Sequence, residues 1–473
     1  MIILGINYLS ESTVSLIKNG KLIFAISEER INRKKNWYGI PYHSIKIAKK
    51  IVKNKIDYVV TCGLSALNNM MPNDKEYKKK EIIISKSNLP KKIKNRQIKF
   101  LKKRRDHEDN VINKRTLHVI NILKKEFKNI NIYDHHTAHA ASAAFYSSYK
   151  SCYVLTIDGW GDDASSKIFK FNKKGLKLIS QTNTFDSLGY FYGSITKLLG
   201  FKPHQHEGKI LGLAAYGKPE RAYKEISKMI SFDKKNLRFV GNYENGIYQA
   251  NYNNKNLNYL KQKFSKEDIS AAAQKILEEN VIKCVDSLDK KKFNIALAGG
   301  VFANVKLNQK IMELEKVKDL FIFPNMGDGG LSTGAAALEY YGKSNKKPII
   351  PDNYYLGLKY TDSEILNEIK KNNLRYTKPT NLPFFVAKKL SEEKIVAHFN
   401  DKMEFGPRAL GNRSILCSAK KNEINIELNK KLNRTEFMPF APIIMKKYLN
   451  KYFKFKKGLK NFEHMTMTTK CRK

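Results

Sequence analysis

Two stretches of the chain, roughly 150 residues apart, are built alike, and this constrains the fold more than any other feature. The first, LGINYLSESTVSLIKNGKLIFAIS, covers Leu4 to Ser27; the second, LTIDGWGDDASSKIFKFNKKGLKLIS, covers Leu155 to Ser180. Each reads as an apolar strand, a small polar turn, a second strand, a tight glycine turn and a third strand. A chain that repeats such a unit is expected to be a duplicated α/β fold. Each copy places a polar turn directly behind a strand, followed by a hairpin whose backbone could cradle phosphate. Segments reading strand, glycine turn, helix follow later, at FNIALAGGVFAN and FIFPNMGDGGLSTGAAA.

At 473 residues, 42% of them hydrophobic, the chain suits two or three domains. No apolar run reaches the roughly 18 residues of a membrane span, and the opening MIILGINYLSES is not patterned as a secretory signal, so a cytoplasmic protein is expected. Five scattered cysteines with no C-x-x-C pair fit reduced thiols. The formal charge of +44 points first to nucleic acid. The excess, however, is mostly lysine strewn through every kind of element, alongside abundant asparagine and isoleucine, as an AT-rich coding sequence produces. Nucleic acid is therefore not an expected partner. The densest basic stretch, Lys78 to Arg115, lacks interleaved aromatics and reads as a solvated, peripheral helical insertion near 70–130. Prolines at 348, 351, 379 and 383 mark a composition break, which predicts one domain over 1–345 and a second over 346–473. The chain runs from the MTMTT strand straight into KCRK without a capping signal, so the second domain is expected to be C-terminally incomplete.

Three concentrations of residues carry chemistry. In DHHTAHAASAAF, residues 134 to 145, His135 and His139 are four apart, so on a helix they share a face and can grip one ion. An ordinary helix start with hydrogen-bonded imidazoles would show the same spacing. Asp158 and Asp328 decide between the two, because both are expected at strand ends that gather in a duplicated fold. Two histidines and two carboxylates with open positions favour iron(II), with manganese or zinc as alternatives. The glycine turns carrying Gly299 and Gly300, and Gly327, Gly329 and Gly330, precede helices and suit phosphate, which makes nucleotide binding the expectation; Lys209 in HEGKILGLAAYGKP is assigned to the same function. The third concentration is MEFGPRALGNRSI, residues 403 to 415, where Arg408 and Arg413 can hold phosphate or carboxylate bidentately, with Arg434 of RTEFMPFAP as a further candidate. Ordinary surface loops are the competing reading there, but glycine, proline and arginine cluster in them almost without lysine.

Taken in order, LGIN, SEERINRKK, HHTAHAASAAF, IDGWGD, GKILGLAAYG, AGGVFAN, GDGG, MEFGPRALGNRSI and RTEFMPFAP resemble the NodU/CmcH-type O-carbamoyltransferase family of nodulation-factor and antibiotic carbamoyltransferases. The resemblance implies a duplicated actin-like first domain, of the ASKHA or sugar-kinase type, and a YrdC-like second domain. It also implies a two-step reaction. Carbamoyl phosphate and ATP form carbamoyl-adenylate, and the carbamoyl group passes to a hydroxyl of a sugar, glycan or related metabolite, as in polysaccharide or secondary-metabolite biosynthesis. The implied ligands are His135, His139, Asp158 and Asp328, and Arg408 and Arg413, with Arg434, would hold carbamoyl phosphate. The family reads LGIN-x-x-HDAS where this chain has LGINYLSEST, so Ser10 and Glu11 replace a histidine and an aspartate, and Glu11 is the stand-in for a general base. Two other functions remain compatible: a tRNA threonylcarbamoyl-transferase-like enzyme, which shares the first domain, and a non-catalytic nucleotide-binding homologue.

Overall fold

A computed structural model describes residues 1–63, 74–107, 114–420, 423–433, 440–455 and 457–472. The duplication is visible in its sheets. Strands β1 (Ile2–Asn7), β2 (Thr13–Lys18), β3 (Lys21–Ser27), β4 (Tyr58–Cys62) and β5 (Ile130–Tyr133) form a sheet in the order β3-β2-β1-β4-β5. Strands β6 (Cys152–Gly161), β7 (Ala164–Asn172), β8 (Gly175–Asn183), β11 (Phe293–Ala298) and β12 (Val317–Ile322) form a second in the order β12-β11-β6-β7-β8. In both, the first three strands are an antiparallel meander and the last two run parallel to the first. The chain is therefore α/β with mixed sheets. Between β8 and β11 in sequence lies a small hairpin, β9 (Ile230–Asp233) with β10 (Arg238–Gly241).

The sheets are joined through a helix pair. Helix His135–Tyr146 packs on the second sheet, helix Leu331–Ser344 packs on the first, and the two helices pack on each other. Both are rich in alanine because they are enclosed: every residue of His135–Tyr146 except Thr137 is buried. Small side chains let the backbones approach closely. A Cβ on Gly334 would run into the Ala138 carbonyl, and one on Gly5 of β1 into the Ser332 carbonyl. The hydroxyls of Thr13 and Ser15 reach Ser332 at 2.9 and 2.8 Å, so the polar groups of this dry contact satisfy each other.

The insertion departs from expectation. Its helices, Asp74–Lys86, Lys91–His107 and Lys114–Glu126, are not a solvated appendage. Tyr77, Ile84 and Leu101 join the core of the second unit, while Val119 and Leu123 join that of the first. Lys80 forms a buried ion pair with Asp186 at 2.7 Å. The sequence pattern misled because basic side chains outnumber these few apolar contacts, and burial is decided by the contacts.

Beyond Ser344 the packing changes. Tyr354, Leu356 and Phe405 belong to the core shared by the two sheets. Asn461 bonds to β12 on both sides, donating to Leu320 O at 2.7 Å and accepting from Ile322 N at 3.1 Å. Between these anchors, helices Asp362–Lys371 and Leu382–Ser391 bury no residue, beside a two-stranded ladder of β13 (Val396–Phe399) and β14 (Arg413–Leu416). A last short pair joins β15 (Phe453–Lys454) to β16 (Lys470–Cys471). All five cysteines are free thiols, and no helix among the described residues is long and apolar enough to cross a membrane.

Candidate metal centre and anion site

The N-terminus of helix His135–Tyr146 points into the junction between the sheets, and its first turn is held from three sides. Asp134 caps the helix by accepting from Thr137 N at 2.8 Å, and its other oxygen accepts from Lys167 Nζ at 2.8 Å. His135 N donates to Asp162 Oδ2 at 2.7 Å. His136 faces away, with Nδ1 2.9 Å from Thr156 Oγ1 and Nε2 3.1 Å from the Ala164 carbonyl. Burial pulls its pKa down to about 3, so it is a neutral structural imidazole.

His135 and His139 turn the other way and meet the two aspartates. His139 Nε2 lies 2.9 Å from Asp158 Oδ2 and 3.7 Å from Asp328 Oδ1; the corresponding distances from His135 Nε2 are 3.5 and 3.6 Å. One donor atom from each of the four residues falls within 4.8 Å of all the others. Asp158 lies buried in the last part of β6, and Asp328 follows β12, two strands away in the same sheet and parallel to β6, so the C-terminal ends of parallel strands converge on the cluster. Asp158 spends its second oxygen on Gly300 N at 2.8 Å, and the Asp328 carbonyl accepts from Asn7 Nδ2 at 2.9 Å.

This donor set fits a divalent cation. All four ring nitrogens of His135 and His139 and Asp158 Oδ2 are buried with no partner in hydrogen-bond geometry, an arrangement that costs free energy unless an ion collects the lone pairs. The electrostatics agree. Burial drives the His139 pKa down, yet Asp158 and Asp328 outweigh it and hold the imidazole up at about 9. Asp158 is itself kept well below the usual carboxylate range, against its burial, by His135 and His139. The cluster thus concentrates negative charge that a cation can take up in place of protons.

Close packing explains the glycine turns. Gly299, with φ of 103°, donates to Met326 O at 2.6 Å, and its missing Cβ would press on the backbone of Ile157. A Cβ on Gly300 would lie 2.8 Å from Asp158 Oδ1, on Gly327 3.0 Å from Glu11 Oε2, and on Gly329 2.6 Å from Asn325 Nδ2; Gly330 packs on the Asn325 carbonyl. Glu11 therefore stands at the rim of the cluster, in a left-handed turn with φ of 53°. Burial, reinforced by the charge of Asp328, raises its carboxyl pKa to about 7. Lys209 lies on helix Glu207–Ala214, its ammonium 5.2 Å from the centre of the Phe201 ring.

The arginines of MEFGPRALGNRSI come to the same region. Gly406, with φ of 131°, backs onto Pro324 O just before the Asp328 turn. Arg408 donates to Ala303 O at 3.3 Å, immediately after the Gly299–Gly300 turn, and its Nε is buried without a partner. Arg413 Nε lies 3.5 Å from Glu404 Oε2. Arg434 is outside the described residues. Sequence reasoning overlooked Asn7, which ties the Asp328 backbone to the Ser10–Glu11 turn, and Arg30, whose Nη2 lies 3.5 Å from Gly406 O. An Asn at the end of β1 gives no signal of its own; Arg30 lies inside the quoted SEERINRKK motif without an assigned role.

Comparison with known proteins accounts for the shared order of these motifs. Residues 2–337 match the carbamoyltransferase N-terminus family and residues 387–473 the carbamoyltransferase C-terminus family. The chain belongs to the carbamoyltransferase family, and so to a family of transferase enzymes. It is 34% identical to an uncharacterized protein of Methanocaldococcus jannaschii over 95% of this chain and 79% of that protein. It is 25% identical to the nodulation protein NolNO of Sinorhizobium fredii, over 98% of this chain and 67% of the relative. It is 24% identical to the 3'-hydroxymethylcephem-O-carbamoyltransferase of Streptomyces clavuligerus, over 54% of this chain and 47% of that enzyme.

Proposed function

We propose that this chain is an O-carbamoyltransferase that uses carbamoyl phosphate, ATP and water to form carbamoyl-adenylate with release of phosphate and pyrophosphate, and passes the carbamoyl group to a hydroxyl of a sugar, glycan or related metabolite in the cytoplasm, with AMP leaving. The observation that carries this reading is the four-donor cluster of His135, His139, Asp158 and Asp328 at the joint of a duplicated fold, with arginine-bearing loops beside it. The shared strand order supports an actin-like assignment for 1–345, and 346–473 is read as the YrdC-like part. The O-carbamoylating relative supports a hydroxyl acceptor.

His135, His139, Asp158 and Asp328 would hold a divalent ion, iron(II) by preference. Such an ion, when bound, supplies Lewis-acid polarisation of the carbamoyl carbonyl. The remaining work falls to the chain. Glu11, with a carboxyl pKa near neutrality, accepts the proton of the attacking hydroxyl at the rim of the cluster. Arg408 and Arg413, joined by Arg434, neutralise phosphate and orient the donor. The glycine turns at 299–300 and 327–330, with Lys209, receive the nucleotide, the turns by allowing close backbone approach and Lys209 by its ammonium. Asp134, Lys167 and Asp162 fix the first helical turn, so that both imidazoles are aimed before substrate arrives.

Pyrophosphate release from ATP that depends on added carbamoyl phosphate is the direct test. Its absence in the metal-loaded full chain would remove the adenylate step. Metal analysis of His139→Ala should show bound metal falling at least tenfold below the parent protein; equal metal content would sink the ligand assignment.

A further inference from the structure

Arg30 has no place in the scheme above, yet it is mostly buried at the seam between the two family-matched segments. It lies in the short helix Glu29–Asn32 after β3, its side chain 19% exposed, with Nη2 3.5 Å from the Gly406 carbonyl and Nη1 2.9 Å from Glu29. Arg413, from the other side of the seam, is 24% exposed and faces Glu404. Both lean on the same stretch of chain, Arg30 on Gly406 and Arg413 on Glu404 two residues earlier, and after burial Arg413 is the strongest influence lowering the Arg30 pKa. Like charges held together at a partly buried seam need a reason.

The neighbouring carboxylates supply only part of one. Glu404 Oε1 accepts from the backbone N–H groups of Leu410 and Arg413 at 2.8 and 3.0 Å, which shapes the turn carrying Arg413. Glu29 Oε2 likewise accepts from Asn36 N at 2.7 Å. A guanidinium offers five N–H donors. Arg30 directs its two terminal nitrogens at one carboxylate and one distant carbonyl, and Arg413 Nε, buried, meets Glu404 Oε2 only at 3.5 Å, outside hydrogen-bond geometry. Among the described residues, Glu29, Gly406 and Glu404 are the acceptors matched to the pair, which leaves most of its donor capacity unspent.

We propose that Arg30 and Arg413 together grip a single phosphoryl group across this seam, so that Arg30 is a phosphate-binding residue contributed by the N-terminal part of the chain. The inference rests on the reading that the substrates are phosphate compounds. Planar guanidinium forks bind phosphoryl oxygens bidentately, and two forks from different segments suit a tetrahedral dianion better than either suits a carboxylate. The phosphoryl group can come from carbamoyl phosphate or from the adenylate, and the probes separate these sources.

Calorimetric titration of the full chain with inorganic phosphate, carbamoyl phosphate and AMP tests the inference. Arg30→Ala should weaken the phosphoryl probe that uses this site by roughly one to two orders of magnitude, Arg30→Lys should recover only part of that loss, and the double variant with Arg413→Ala should lose less than the two single losses added. An effect confined to carbamoyl phosphate or to AMP identifies the source. Unchanged affinity for all three probes in Arg30→Ala, with Arg413→Ala weakened, overturns this inference and leaves the proposed function standing. If the parent protein binds none of the probes, both fall. Should Arg30→Ala fail to fold, Arg30→Lys carries the test: parental affinity there overturns the bidentate grip.

Discussion

Residues 1–345 and the segment from Lys359 to Tyr452 treat the same kinds of side chain differently. In the first, Leu155 is 0% exposed at the centre of a sheet with helices packed around it. In the second, Phe384 is 68% and Ile443 79% exposed, and neither of its longer helices buries a residue. The contrast shows where the stability of the described structure resides. The duplicated unit can bring the four donors of the cluster within 4.8 Å of one another because its strands, alanine helices and insertion are mutually enclosed. The arginine loops between 403 and 413 gain their order by leaning on that unit, through Phe405, Gly406 and Arg408, and owe little to a core of their own.

Mutations can break this comparison. The largest difference is expected for lysines of the two regions. Lys80→Ala leaves the buried Asp186 without its partner and should cost about 3–5 kcal/mol, read as a lower midpoint in urea unfolding. Lys359→Ala removes an exposed pair with Asp401 at 2.9 Å and should leave that midpoint unchanged. Equal effects would mean that the insertion is not part of the core.

Apolar truncations should follow. Leu155→Ala is expected to cost about 2–5 kcal/mol, through lost transfer energy and a cavity, while Ile443→Ala should stay within about 0.5 kcal/mol. A cost above about 2 kcal/mol for Ile443 would show that this face is covered in solution.

The smallest effect sharpens the boundary between the regions and is read by pH. His464 packs edge-on against Tyr354 with ring centroids 5.1 Å apart, and burial, helped by Lys460, lowers its pKa to about 4. The unfolded chain therefore binds more protons than the folded one between about pH 4 and 6.5, so stability rises with pH across that window. Acidification from 6.5 to 4 should cost on the order of 1–3 kcal/mol at this site. Thermal unfolding of His464→Phe, which keeps the ring and removes the titration, should lose that part of the slope. An unaltered slope would place the acid sensitivity elsewhere.

The candidate metal ligands were legible because their spacing and placement have a physical meaning in one dimension. His139 follows His135 by four positions, about one helical turn, and the two aspartates lie late in or just after strands of a repeated unit. Local sequence also determined the meander of each sheet, since alternating apolar runs and glycine turns dictate hairpins without reference to the rest of the chain. Other features depended on surfaces meeting. That a lysine-rich insertion would bury Tyr77, Ile84 and Leu101, or that Arg30 would lie against Gly406, which follows it by several hundred residues, is written in no local pattern. The close approach of the two alanine-rich helices, Gly334 against Ala138, likewise joins segments far apart in sequence. Period and turn chemistry are properties of a few adjacent residues, whereas convergence, desolvation and the pairing of charges depend on which distant segments share one volume, and the tertiary structure alone decided that.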